Sequence, residues 1–295
     1  MKYVITGAAG HISRPLAEKL LAAGHDVTVI GRNPENLKLL TEKGAKAAIG
    51  EIEDVDFLKK TFTGADAVYT MVPPQYAAQD LQAYQQMGAN YARAIKAANV
   101  KYVVNLSSVG AHLAEGVGPV SGLHLAEQEL NKLTDVNILH LRPGFFYVNL
   151  FANIPMIQGM NIIGGNYGDH NAKMIFSHPN DIAETAAEAL LGLAFKGHSA
   201  QYLASDERTT GDVAKVLGNA VGKPELPWIG FTDEQAYGGL TQAGLPEKMA
   251  HNYTEMGSAM RSGKMWEDFP KHRPQKFGKT KLEDFSKEFA AAYNA

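Results

Sequence analysis

The stretch that decides the fold is Lys2 to Ala23, KYVITGAAGHISRPLAEKLLAA. An apolar run, Lys2 to Thr6, enters a glycine turn and leaves it as a helical pattern from Ser13 to Ala23. A strand that feeds a helix through such a turn leaves backbone N–H groups and the positive end of the helix dipole where a pyrophosphate can sit. Gly7 allows the tight turn, and Gly10 lets the backbone approach phosphates without a Cβ in the way. Position 13, where a third glycine is often found, holds Ser13, small enough to pack the helix on the strand. Thr6, Gly7, Ala9, Gly10, His11 and Ile12 are therefore candidate cofactor contacts, with His11 covering the pyrophosphate or facing solvent rather than performing catalysis. A plain structural turn is the competing reading, since glycine turns follow many strands.

Working outward, the same alternation continues. Asp26–Gly31, Ala45–Gly50, Asp66–Val72, Lys101–Ser107 and Asn137–Pro143 read as short strands, and the segments 35–43, 77–98 and 123–133 between them as helices. That alternation predicts a Rossmann-type α/β fold, a doubly wound parallel sheet, over residues 1–150. After Pro143 the rhythm changes. Residues 144–176 are rich in Gly, Asn, Phe and Tyr with no clean period, which predicts loops over a pocket. The helical pattern NDIAETAAEALLGLAF, capped by Asn180 or Asp181, and the strand QYLAS predict that 178–205 returns to the sheet. The remainder of 151–295 reads as a smaller, mainly helical C-terminal lobe over a substrate cleft.

Composition removes several classes of function. With 45% hydrophobic residues, 20% charged residues and a net charge of -3, the chain can bury a core but carries no bulk positive field for nucleic acid. There is no cysteine, so no disulfide, thiolate metal site or cysteine nucleophile is available. No histidine spacing matches a metal motif. No long uninterrupted apolar segment or leader-like start is present, and a protein of the cytoplasm with no membrane contact is expected. Tyr84, Met87 and Tyr91 stand at helical spacing, open to either a homodimer contact or a place in the core.

The end of the second strand chooses between cofactors. A site for the free ribose of NAD usually places an acid there; this chain reads VIGRNPENL, with Arg32 in that place. A guanidinium suits a 2′-phosphate through charge-assisted, bidentate hydrogen bonds, which favours NADP(H) over NAD(H). In the alternative, Arg32 is a solvated loop residue and Asn33 caps the helix that Pro34 begins. Because ligands of such sheets lie beyond the strands' carboxyl ends, Glu51 and Ile52 border the adenine, and Met71, Val72 and Pro73, then Ser107 and Ser108, and finally Pro143 are further cofactor candidates.

Catalysis is less plain. None of the twelve tyrosines has a lysine four residues later, so the Tyr/Lys pair of short-chain dehydrogenases is absent, and the Tyr position holds His124 with Gln128 in place of Lys. The motifs TGAAGHIS, VIGRNPENL, MVPP, NLSSVGA, the helix from His124 to Glu129, LRPGFFYVN, HPNDIAETAAEAL and KTKLEDFSKEF together resemble the NmrA-like branch of atypical short-chain dehydrogenases. Within it the chain is most similar to bacterial type 2 NAD(P)H:quinone oxidoreductases and to azo and triphenylmethane-dye reductases. The resemblance implies a Rossmann domain, NADP(H), a small electron acceptor as partner and no Tyr/Lys pair. A quinone or azo bond accepts hydride readily, so positioning carries the rate. Phe145, Phe146 and Tyr147 then become candidate pocket walls, Asn149 a hydrogen-bond donor to the acceptor, and His124 the proton source. Each also has a structural reading, in the core or as a tie between helix and backbone. A non-catalytic NADP(H) sensor and an atypical sugar epimerase are the alternative functions.

Overall fold

The computed structural model describes residues 1–75 and 80–295. Strand and helix alternate through β1 (Lys2–Ile5), α1 (Ser13–Ala22), β2 (Asp26–Gly31), α2 (Lys38–Glu42), β3 (Lys46–Ile49), α3 (Val55–Phe62), β4 (Ala67–Met71), α4 (Gln82–Ala98), β5 (Tyr102–Leu106), α5 (Pro119–Leu130) and β6 (Asn137–Pro143). Beyond them lie β7 (Phe145–Phe146), α6 (Ile154–Met160), β8 (Ile163–Gly165), β9 (Lys173–Ser177), α7 (Pro179–Gly192), β10 (His198–Leu203), β11 (Asp206–Thr209), α8 (Thr210–Ala220), β12 (Trp228–Gly230), α9 (Asp233–Gln242), α10 (Glu247–Arg261) and α11 (Leu282–Tyr293).

Seven parallel strands form the main sheet in the order β3-β2-β1-β4-β5-β6-β10. Alternate side chains serve opposite faces. Tyr3 and Ile5 pack with Leu16 and Leu20 of α1 and Ile182 and Ala186 of α7, whereas Val4 and Val68 pack with Leu58 and Phe62 of α3, Tyr91 of α4 and Leu130 of α5. Both faces are covered, which is why the central strands are nearly continuously apolar. Winding proceeds one way from β1 to β3 and the other way from β4 onward. The carboxyl ends of β1 and β4 therefore part at a topological switch point and open a crevice.

A third core holds the C-terminal lobe, and here the expectation of loops over residues 144–176 is corrected. The segment contains β7, a 3-10 stretch at Tyr147–Asn153, α6, β8 and β9. These elements are too short to show a period, yet Phe145, Tyr147, Ile157, Ile163 and Phe176 are all buried in one cluster with Phe285 and Phe289 of α11. Two small sheets, β11-β9-β7 and β12-β8, stiffen the lobe beside its helices. Among the described residues no helix is long and apolar enough to cross a membrane.

Other boundaries also move. The helix expected over 35–43 is a 3-10 turn, Pro34–Leu37, followed by α2. Of the segment 77–98, α4 covers Gln82–Ala98, and Ala77 lies outside the described residues. Tyr84, Met87 and Tyr91 are buried, so this stripe faces the core and not a second subunit. The helix expected over 123–133 begins earlier, at Pro119. At α7 the cap is His178, whose Nδ1 accepts from the Asn180 amide at 3.1 Å, because Pro179 already opens the helix. Asp181 instead accepts from the Ser205 hydroxyl at 2.6 Å and from the Thr280 amide at 3.1 Å, tying the C-terminal segment to the sheet.

A buried polar chain crosses the middle of the sheet. The Thr70 hydroxyl donates to Asn105 Oδ1 at 2.9 Å, which turns the Asn105 amide nitrogen toward His140 Nδ1 at 3.1 Å. His140 must then carry its proton on Nε2 and donate it to Asn131 Oδ1 at 3.0 Å. Burial holds the His140 imidazole below its ordinary pKa, and Arg142 and His198 push the same way against the opposing pull of Glu127. Since the unfolded chain takes up this proton first, below a pKa of about 6.5, folding stability falls as pH drops from there toward the folded pKa. His140→Gln removes that contribution. Urea unfolding midpoints should fall less steeply between roughly pH 7 and 5 in the variant than in the wild type.

Candidate active site

Gly7 has φ +63, and a Cβ built on it stands 2.8 Å from Met71 Sδ, so the turn requires glycine twice over. The Gly10 amide donates to the Gly7 carbonyl at 2.9 Å and closes the turn. The helix that follows, α1, has no side-chain cap and no acidic residue in its first turn. Of its first residues, Arg14 already donates its amide to the Gly10 carbonyl at 3.1 Å and Pro15 carries no N–H, so any anion at this end is met by the amides that precede them and by the helix dipole. By contrast α8 and α9 close their own N-termini with capping boxes from Thr209/Asp212 and Thr232/Gln235.

Two cavities open at the carboxyl edge of the sheet. The first is a groove of about 670 Å³ between the β1, β2, β3 and β4 ends, walled by Gly7, Ala8, Ala9, Arg32, Asn33, Gly50, Glu51, Ile52, Met71 and Pro73 among others. Arg32 is the one cationic side chain among its described lining residues. Asn33 Oδ1 also accepts from the Glu35 amide at 2.9 Å, so the capping role expected of it is present alongside its place in the wall. The second cavity, about 540 Å³, runs on between the β4, β5 and β6 ends and the C-terminal lobe. Its walls include Val72, Ser107, Ser108, Phe145, Phe146, Asn149, Tyr167, Met256, Met260, Met265 and Trp266, and none of its described lining residues is charged. Met71 and Pro74 belong to both walls, so the two spaces adjoin.

The remaining expected residues lie elsewhere. Among the described residues, Thr6, Gly10, His11, Ile12, Pro143, His124 and Tyr147 are outside the walls of both cavities. Thr6 is fully buried, its hydroxyl oxygen accepting from the Met71 amide at 3.1 Å, and Pro143 is spent on a carbonyl bond from the Val109 amide at 2.9 Å. Two corrections matter for chemistry. Tyr147 is not a pocket wall but a core residue, stacked between Phe176 and Phe285 at 5.1 and 5.2 Å with its hydroxyl on Asp206. Burial first, then Asp206, pushes that phenol far above its usual range, so it is no acid. His124 donates from Nδ1 to the Ala111 carbonyl at 2.9 Å, holding α5 to the loop after β5 and standing off the cavity.

Sequence reasoning missed the lobe's share of the second cavity. Met256 and Met260 are one turn apart on α10, a signal that i, i+4 spacing in EMGSAM could have supplied. Tyr167 and Trp266 had no such mark, since isolated aromatics in short elements carry no period.

A nicotinamide dinucleotide fits the two adjoining spaces on two observations: the glycine turn at Gly7, held in a left-handed conformation at the wall of the groove, and the Ser107 hydroxyl oxygen, buried at the β5 end in the wall of the second cavity with no partner among the described residues. The comparisons agree. Residues 7–149, just under half of the chain, match the NAD(P)H-binding family model. Over nearly its whole length the chain shares its fold with several solved structures. Citrobacter sp. triphenylmethane reductase superposes with a TM-score of 0.81 at 20% identity, covering 99% of this chain and 100% of the reductase. The NADPH-dependent quinone oxidoreductase QOR2 of Escherichia coli gives 0.82 at 20%, covering 97% and 99%. NmrA, a negative transcriptional regulator solved with NAD, gives 0.75 at 13%, covering 97% and 94%. The first two curated relatives align over 68 and 63 residues, 23% and 19% of their own lengths.

Gly7→Ala tests the turn. Forcing a Cβ into the left-handed region costs about 1–2 kcal/mol, with displacement of Met71 added. The variant should melt lower than the wild type, and NADPH titrated by fluorescence should bind at least about tenfold more weakly.

Proposed function

We propose that the protein is an NADPH-dependent reductase of quinone-like, azo or similar small electrophilic acceptors. The observation that carries this is the junction at Met71 and Pro74 of a dinucleotide-sized groove with an uncharged, aromatic cavity. In this reading the turn from Gly7 to Ile12 and the start of α1 receive the pyrophosphate, and Arg32 takes the 2′-phosphate that distinguishes NADP(H). Glu51 and Ile52 border the adenine, and Ser107 and Ser108 face the ribose and nicotinamide end. When bound, the nicotinamide supplies hydride.

The chain's own contribution is placement. Phe145 and Phe146 offer aromatic surface to a flat acceptor, and Asn149, exposed in the same wall, donates a hydrogen bond to its oxygen or nitrogen. A hydride acceptor that becomes a delocalised anion needs no dedicated strong acid, which suits a cavity from which His124 and Tyr147 are turned away. The uncharged wall also argues against a nucleotide-sugar epimerase, because a diphosphate would enter with no cation to meet it. The sensor reading rests on the likeness to NmrA alone.

Mixing the protein with NADPH and menadione should consume NADPH, read at its absorbance band, and a sulfonated naphthoquinone should react more slowly than its neutral parent. Arg32→Ala should weaken NADPH binding by about tenfold or more while NADH binding changes little. Intact NADPH binding with no oxidation across a broad acceptor panel would replace the reductase with the sensor.

A further inference from the structure

The wall of the second cavity has an uneven composition. Four of the chain's ten methionines, Met71, Met256, Met260 and Met265, line this one space. Two of them are held. Met71 is tied through both backbone groups, its amide to the Thr6 hydroxyl oxygen and its carbonyl to the Tyr91 hydroxyl, and its thioether lies over Gly7. Met265 is fully buried with its sulfur against Gly110, where a Cβ would stand 2.3 Å away.

The other two, Met256 half-buried and Met260 buried at the edge of the lobe's core, line the cavity from a helix whose backbone is pinned. Near the Met256 end of α10, the Glu255 carboxylate accepts from the Gly118 amide at 2.9 Å, and the Asn252 carbonyl lies where a Cβ on Gly118 would be. At its carboxyl end Arg261 grips Asp233 with two bonds of 2.9 and 3.0 Å, an interaction that holds the Asp233 carboxyl far below the usual carboxylate range. Between them Asn166 donates to the Thr254 carbonyl at 2.8 Å and packs directly on Gly257. These ties hold the helix backbone at three places along its length, so adaptation to different ligands falls to the side chains. Methionine suits this, because it is unbranched, has three rotatable side-chain bonds and a polarisable sulfur that favours aromatic edges.

We propose that Met256 and Met260 form an adjustable wall that sets the size range of acceptor, so that uncharged planar aromatics from one ring to several fused rings bind in the same cavity. The proposal rests on the reductase reading for the word acceptor, but it concerns binding, which can be measured without turnover. A leucine pair at these positions conserves volume, and an isoleucine pair stiffens the first side-chain torsion.

The test uses the full chain with NADP+ bound, so that no hydride is available. Binding of 1,4-benzoquinone and of a fused-ring anthraquinone is followed by quenching of tryptophan fluorescence in the wild type, Met256→Leu/Met260→Leu and Met256→Ile/Met260→Ile. The ratio of large-quinone to small-quinone affinity should fall about tenfold in the isoleucine pair and by a smaller factor in the leucine pair, whose fold is least at risk. A ratio within about twofold of wild type in both variants, or no quinone binding by the wild type, would overturn the proposal. Quinone binding with this size dependence but no NADPH oxidation would defeat the reductase reading and leave the adjustable wall standing.

Discussion

The site hangs on the way β4 ends. Met71 is the last residue of that strand, and its amide donates to the Thr6 hydroxyl oxygen at 3.1 Å while its carbonyl accepts from the Tyr91 hydroxyl at 2.8 Å. These bonds reach the residue just after β1 on one side and α4 on the other, where the pairing of β4 with β1 has ended. They fix the level at which two oppositely wound halves of the sheet part. With its backbone anchored, the Met71 side chain can lie over Gly7, and the chain can leave through Pro73 and Pro74, which offer no N–H groups to compete for a ligand. Both cavities share this residue, together with Pro74, as their common wall.

A second anchor sets the lobe against the sheet. Arg142 at the end of β6 meets Glu127 of α5 through two bonds, 3.0 and 2.5 Å, and donates to the Tyr202 hydroxyl at 3.1 Å, which in turn donates to Asp268 at 2.6 Å. Glu127 is almost wholly buried, so the fork geometry of the guanidinium is what makes its burial tolerable. The chain joins α5, two sheet strands and the segment after α10, and α5 and that segment also contribute to the wall of the second cavity. Burial and Asp268 push the Tyr202 phenol up to about 12, so its proton stays in place through the physiological range.

What could be read from the residues divides along a physical line. The glycine turn, the alternating strands and Arg32 were legible because each is a local signal: a backbone conformation only glycine adopts, a period of two or 3.6, a charge at a strand end. The role of Thr6 was misjudged because its hydroxyl is spent sixty-five residues away, on Met71. His124 and Tyr147 were misjudged for the same reason, since ring orientation depends on Ala111 in one case and on Phe176, Phe285 and Asp206 in the other. The histidine cap of α7 was hidden because Asp181, the better capping residue by type, is claimed by Ser205 and Thr280.

By itself the sequence determined the doubly wound sheet, the glycine turn at the end of β1 and the cation at the rim of the groove, because short-range sterics and periodic burial act within a few residues of the chain. Tertiary structure alone decided which side chains line the second cavity. Met256, Met260, Met265 and Trp266 meet Phe145 and Asn149 only because α10 and the turn after it fold back over the β6 end, a contact across more than one hundred residues that no local pattern encodes.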